Sequence, residues 1–249
     1  MKRAVLLAML FSVAVLAEGP EFVKAPAGSF VMGCEPSYTC PELQPPQRIV
    51  FERPFWMHKT EVTLGQFREF VKATGYQTEA EKAGERWFWS NPRAFKAADR
   101  QPVVYVTLKD AEAYCTWLGA RLPTEPEWTY AFRAGQTITG HLWWNTDGRY
   151  VWYRENSKAQ PQPVGRKLPN AWGLYDMEGN AWEWTRTLPP HKTPAAIRGG
   201  SWVTCPLIEG APKGPGEPPE KENGPFSRCP SQGDHIRDDI GFRCARSEP

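Results

Sequence analysis

Apolar side chains recur along this chain in two rhythms, one helical and one extended. After Thr63, the residues Phe67, Phe70 and Val71 fall on one face of a helix, and after Thr107 so do Ala111, Tyr114, Cys115 and Leu118. Both runs open with a threonine followed three residues later by a polar partner, Gln66 or Asp110. In that arrangement the hydroxyl accepts from a free N–H of the first turn, and the partner reaches back to the cap backbone. Thr124 and Glu127 repeat it, with Pro126 in the first turn, where the missing N–H is no loss. Each run closes on a glycine, Gly75, Gly119 or Gly135, at which left-handed backbone is easily adopted. Three helices are therefore predicted. Elsewhere the apolar stretches are short. Residues 29–32 and 49–51 are predicted to pair as strands, and residues 199–202 and 242–244 are long enough for strands only. Residues 206–225 mix Pro, Gly and Glu with almost no apolar side chain and read as a loop. No internal repeat is visible.

The first residues belong to a different class. Lys2 and Arg3 precede an apolar run over residues 4–17 that is broken only by Ser12. The run is shorter than the roughly 20 residues a membrane span needs. It is expected to be a secretory signal cleaved after Ala17, with an uncleaved anchor as the alternative. A single domain over residues 18–249 then remains, exported to a periplasm or secreted, with no second apolar stretch to hold it in a membrane. A formal charge of +2 is too small to suggest a nucleic-acid or membrane-surface partner. Trp 12 and Pro 25 are both high counts, and point to many loops pinned by large rings rather than long regular elements. The six cysteines are an even number, and export permits disulfides.

Short blocks then appear in a fixed order: A-G-S-F-V-M-G at 27–33, F-W-M-H-K-T-E-V-T at 55–63, R-L-P-T-E-P-E-W at 121–128, G-L-Y-D-M-E-G-N-A-W-E-W at 173–184, R-G-G-S-W at 198–202 and G-F-R-C-A-R at 241–246. Together they resemble the formylglycine-generating enzyme, or sulfatase-modifying factor, family. The resemblance implies a single mixed α+β domain with little regular secondary structure, distantly like a C-type lectin. Cys115 and Cys244 match two family cysteines that pair with each other. Cys34 and Cys40 lie close together in a loop rich in Pro, Ser and Glu and are natural partners, which leaves Cys205 with Cys229.

One block suggests a metal. Gly179 and Asn180 form a turn into an extended run in which alternate side chains share a face. Trp182 and Trp184 are expected to pack inward and Glu183 to point the other way. The carbonyls of Gly179 and Ala181, with the carboxylates of Asp176 and Glu183, supply hard oxygens of the kind calcium takes in sets of about 6–8. By resemblance these positions match a family calcium site, with Asp176 where Asn is common. The alternative is an ordinary hairpin with a solvated Glu183. Asn145 and Asp147 are candidates for a second calcium site.

The resemblance also implies chemistry: oxidation of a cysteine on an unfolded sulfatase to formylglycine, with molecular oxygen and two cysteines that hold Cu(I). Thiolates select that soft ion. The family places the first cysteine after G-G-S-aromatic-x and the second five residues later. Here Thr204 stands at the first position, Cys205 is one residue late, and five beyond it is Gly210. Either Cys205 and Cys229 come together to hold copper, or they form a structural disulfide. A one-residue shift turns a strand side chain to the opposite face, which favours the disulfide. Ser201 and Trp182 lie near the family cleft by the same resemblance. His58, His141, His191 and His235 show no metal-ligand spacing. Asp238 and Asp239 are placed to cap a turn or to pair with Arg237 or Arg243. Two functions remain open: an oxygen-dependent oxidase acting on a protein or peptide, or a calcium-stabilised accessory module that binds peptide or glycan on the same scaffold.

Overall fold

The computed structural model describes residues 20–32, 46–136, 148–189, 193–203, 229–231 and 233–247, with Cys229 and Pro230 described in backbone only. The expected signal over residues 1–17, the pair Cys34 and Cys40, Asn145, Asp147, His141, His191, Thr204, Cys205, Gly210 and the loop 206–225 lie outside the described residues.

The predicted helices form with the predicted N-terminal caps, but the second and third of them close on Leu118 and Ala134 rather than on Gly119 and Gly135. Helix α1 (Leu64–Thr74), α3 (Leu108–Trp117) and α4 (Glu125–Arg133) start from Thr63, Thr107 and Thr124, each in a complete capping box. A fourth, α2 (Glu79–Lys82), starts from Thr78 with Glu81 reaching back. It has the same signature but spans only four residues, too few for an apolar period to register. Gly75 is the left-handed cap of α1, whereas α4 turns at Ala134, one residue before the predicted Gly135.

Strands β1 (Phe22–Ala25), β4 (Phe55–His58) and β9 (Ala245–Ser247) form an antiparallel sheet in the order β1-β4-β9. Strand β2 (Gly28–Met32) pairs with β3 (Gln47–Phe51) as predicted, setting Phe30 opposite Ile49. A second sheet has the order β7-β6-β5-β8, from β5 (Trp182–Arg186), β6 (Ala195–Arg198), β7 (Cys229–Ser231) and β8 (Ile240–Gly241). Two strand predictions are corrected. Strand β6 ends before residues 199–202, because Gly199 and Gly200 take φ of 97° and 79° and turn the chain. Residues 242–244 connect β8 to β9; the Phe242 carbonyl accepts from Val62, which lies in no strand, and the Cys244 carbonyl accepts from His58 at the end of β4.

The main core joins the helices to the second sheet. Phe67, Phe70, Tyr114, Trp89, Trp182, Trp184 and Phe242 are buried there, and Phe67 meets Phe70, Tyr114 and Phe242 ring to ring. Inside it, the Cys115–Cys244 disulfide ties α3 to the last turn before β9, across 129 residues of sequence. Closing so long a loop stabilises the fold by about 2–4 kcal/mol. A second cluster, around Trp128, Tyr130, Phe55 and Met57, packs α4 against β4 and the β2–β3 ribbon.

Candidate functional site

Strand β5 divides its side chains between two environments. Trp182 and Trp184 enter the main core, where the Trp184 indole donates to the Val106 carbonyl at 2.9 Å. The Trp182 indole N–H is buried without a hydrogen-bond partner. Glu183 points the other way, as period-two geometry requires, yet it is fully buried. Its Oε2 accepts from Trp128 Nε1 and Arg243 Nε, both at 2.7 Å, and its Oε1 accepts from Arg243 Nη2 at 2.7 Å. Arg243 donates further to the carbonyls of Tyr175 at 2.9 Å and His58 at 3.2 Å. This is the fork-to-fork pairing for which a guanidinium suits a carboxylate.

Two more carboxylates lie against this pair with far less support. Asp176 accepts at Oδ2 from the Gly165 N–H at 2.6 Å, while its Oδ1 is buried without a partner among the described residues. Glu61 is fully buried; its Oε2 accepts from Asn180 Nδ2 at 3.3 Å, and its Oε1 has no partner among the described residues. Burial pushes the Glu61 carboxyl well above the usual carboxylate range, and the nearby charges of Asp176 and Glu183 push it further, against Arg243. Burial raises Asp176 to about 6, opposed by the Gly165 N–H and Arg243. The turn that carries these groups is tight. Asp176 and Asn180 hold φ of 52° and 60°, and at Gly179 any Cβ would fall 2.1 Å from the Trp152 carbonyl oxygen. Asn180 is held on both sides, accepting from Gln162 N at 2.8 Å and donating to Gln162 O at 3.2 Å.

The structure thus brings Asp176, Gly179, Ala181 and Glu183 into one turn and strand, and adds Glu61 and Asn180, which the sequence reading missed. Glu61 stands in the quoted T-E-V-T block, but a lone acid beside a valine carries no spacing signal. Among the described residues, no three His, Cys, Asp or Glu side chains form a ready metal cluster, so a cation here would need backbone oxygens as well.

Further along the chain, from Ser201, a second polar group is built. Ser201 Oγ donates to Asp239 Oδ2 at 3.0 Å and also approaches the Val203 carbonyl. Arg237 holds Asp239 through both oxygens, at 2.9 and 2.8 Å, which settles which arginine Asp239 pairs with. Burial raises the Asp239 carboxyl, opposed by Arg237 and Ser201. Beside it, Val104, Tyr105 and Ala181 form a small apolar cluster with the partly buried Trp87, Phe95 and Ile236. Tyr105 holds φ of 60° while its N–H donates to the Arg237 carbonyl. His58 lies apart from this group, buried against the Phe22 ring, with Nδ1 unpartnered and its pKa lowered to about 3 by burial and by Arg243. His235 is half-buried, and no metal partner lies near it among the described residues.

Residues 9–248 match the family described as the sulfatase-modifying factor enzyme 1-like domain. The formylglycine-generating enzyme of Mycobacterium tuberculosis is 35% identical, over 90% of this chain and 97% of its own. The Mus musculus protein named inactive C-alpha-formylglycine-generating enzyme 2 is 32% identical, over 93% of this chain and 87% of its own. Among solved structures, PvdO from Pseudomonas aeruginosa is similar with a TM-score of 0.69 at 27% identity, covering 92% of this chain and 95% of that one.

Proposed function

The chain belongs to the sulfatase-modifying factor enzyme 1-like family, and on that premise we propose that it is an exported member that binds a protein or peptide segment without copper-dependent formation of formylglycine. The observation that carries this reading is Thr204, at the position where the resemblance places the first copper thiolate. A hydroxyl is a poor ligand for soft Cu(I). The described side chains leading into that position, Ser201 and its partner Asp239, offer hard oxygens already committed to each other and to Arg237. Cys115 and Cys244 are joined in a disulfide. These donors do not fit copper. A relative 32% identical over most of both chains is itself named inactive, which supports a scaffold that outlasts the oxidation.

Binding would use the surface beside the Ser201 group. Trp87, Phe95 and Ile236, partly buried against Tyr105, offer apolar and ring surface, and the Arg237 guanidinium, 21% exposed, offers a cation at its edge. Rings with a charged rim suit an extended peptide. Among the described residues no helix is long and apolar enough to cross a membrane. The test offers a C-x-P-x-R peptide with Cu(I) and oxygen and looks for the aldehyde, alongside a direct titration of peptide binding. Binding without aldehyde is the expected result.

A second reading keeps an oxidase. Strand β7 begins at Cys229 and pairs with β6, the strand that leads into residues 199–203, so the backbone of Cys229 lies on the sheet that carries the site. Aldehyde formation that disappears in Cys205→Ala would establish this reading in place of the first. Peptide mapping after mild reduction would show whether Cys205 and Cys229 form an easily opened pair.

A further inference from the structure

One stretch of this chain is cationic out of proportion to the rest. Residues 148–168 carry Arg149, Arg154, Lys158, Arg166 and Lys167 against the single acid Glu155, in a chain whose 30 cationic and 28 acidic side chains nearly balance. The stretch folds back on itself, so its two arms lie side by side. At the closed end the Leu168 N–H donates to the Arg149 carbonyl at 2.8 Å, and the Lys167 ammonium donates to the Gly148 carbonyl while lying 3.7 Å from the centre of the Trp152 ring. At the other end the Ser157 N–H donates to the Tyr153 carbonyl at 2.9 Å, which places Arg154 and Lys158 on one turn, and Gln162 Nε2 braces that turn at the Ser157 carbonyl at 2.6 Å. Arg154, Lys158 and Arg166 are exposed and form no ion pair among the described residues, whereas Lys59, Arg68, Lys82, Arg121 and Arg186 each hold an acid. Tyr150 and Leu168 add exposed apolar surface between the arms' ends. The turn is also strained: Lys158 and its neighbour Ala159 take left-handed φ of 56° and 53° without a glycine. Backbone held in that region concentrates at positions with a function.

We propose that the surface built by residues 148–168 binds an anionic polysaccharide, with Arg154, Lys158 and Arg166 taking the carboxylate or sulfate groups and Tyr150 and Leu168 covering the apolar faces of the sugar rings. Guanidinium and ammonium groups form their strongest hydrogen bonds with such anions. Cations spread over two arms and a turn, rather than gathered in one pocket, suit a polymer that repeats its charge along its length. The apolar pair selects among polyanions. A sugar ring shows a face of C–H groups between its charges, which packs on an exposed tyrosine and leucine. A run of aspartates or glutamates offers charge without that face. Single-stranded nucleic acid stacks its bases on a series of open rings, and here the Trp152 ring is already covered by the Lys167 ammonium. The inference goes beyond the peptide reading and does not rest on what the Ser201 face binds.

The test measures fluorescence anisotropy of labelled heparin, a sulfated polysaccharide, and labelled alginate, a carboxylated one, with the whole protein at physiological ionic strength. Wild type is expected to bind at least one of them, more weakly as salt rises, and to be displaced by the unlabelled polymer but not by neutral dextran. The tighter of the two names the anionic group. The triple variant Arg154→Gln, Lys158→Gln, Arg166→Gln is expected to weaken binding about tenfold or more with Tm unchanged, since exposed charges contribute little to the fold. Tyr150→Ala is expected to weaken binding about threefold while leaving its salt dependence as it was, because the ring contributes packing and not charge. A control removes three exposed cations elsewhere, Lys24→Gln, Arg53→Gln and Lys72→Gln, and is expected to bind within about twofold of wild type if the effect belongs to one surface and not to net charge. Failure of wild type to bind either polysaccharide would overturn the proposal. So would polyglutamate or single-stranded DNA binding more tightly than both, a 154/158/166 variant that binds like wild type, or a control that loses as much as that variant.

Discussion

Two carboxylates lie within one small region of this molecule, both fully buried, and are treated in opposite ways. Glu183 receives three donors from two elements far away in sequence, Trp128 on α4 and Arg243 beyond β8. Glu61 receives one long bond from Asn180 and keeps an oxygen without any partner. The first arrangement is complete and has nothing left to bind; it joins β5, α4 and the segment before β9 into one body. The second is incomplete, and incompleteness in a dry interior is tolerated where a proton or an ion completes it.

The sharpest way to break the contrast is to remove the completed side. Arg243→Met leaves Glu183 ionised and unpaired in the core and releases the carbonyls of Tyr175 and His58. Such a loss is expected to destabilise the fold by about 3–5 kcal/mol, read by denaturant unfolding. Opening the adjacent bridge comes next. The Cys115→Ser, Cys244→Ser double variant is expected to lose about 2–4 kcal/mol, since the bridge restricts the unfolded chain.

The same contrast explains what could be read in the sequence. The capping boxes at Thr63, Thr107 and Thr124 are local, and local chemistry is legible: hydroxyl, spacing and partner all fall within four residues. The inward Trp182 and Trp184 and the outward Glu183 follow from strand alternation in the same way. The fate of Glu183 is not local. Whether it is solvated or paired depends on Arg243, 60 residues later, and on Trp128, 55 residues earlier. Glu61 was invisible for a related reason. Its meaning comes from Asp176 and Asn180, more than a hundred positions away, and no period connects them. Residues 199–202 were expected to be a strand because the apolar pattern ignored two adjacent glycines, whose backbone ends β6 and presents Ser201 to Asp239.

A third test uses pH on the scaffold side. Burial and Arg243 hold folded His58 near a pKa of about 3, against an ordinary 6.5 in the unfolded chain. The neutral imidazole is what the fold accepts. Its contribution is fully present above pH 6.5 and is lost as pH falls toward 3, because the unfolded state binds the proton first. Within that window the difference in stability between wild type and His58→Phe should change by about 1.4 kcal/mol per pH unit, with wild type losing more. Parallel acid limbs in the two proteins would show that His58 is protonated in the fold and has a partner.

The smallest effect is also the cleanest control. Thr63 caps α1 two residues after Glu61, accepting from Gln66 N at 3.2 Å while Gln66 Oε1 accepts from Thr63 N at 2.9 Å. Thr63→Ala removes the first of these bonds and is expected to cost about 1 kcal/mol. It acts on the backbone that follows Glu61 but leaves both unpartnered oxygens and Asn180 untouched. A helix start held by tertiary packing as well as by its cap should lose no more than this, and thermal melts of Thr63→Ala beside wild type check it. A much larger loss would show that the cap also sets the position of the buried Glu61 carboxylate.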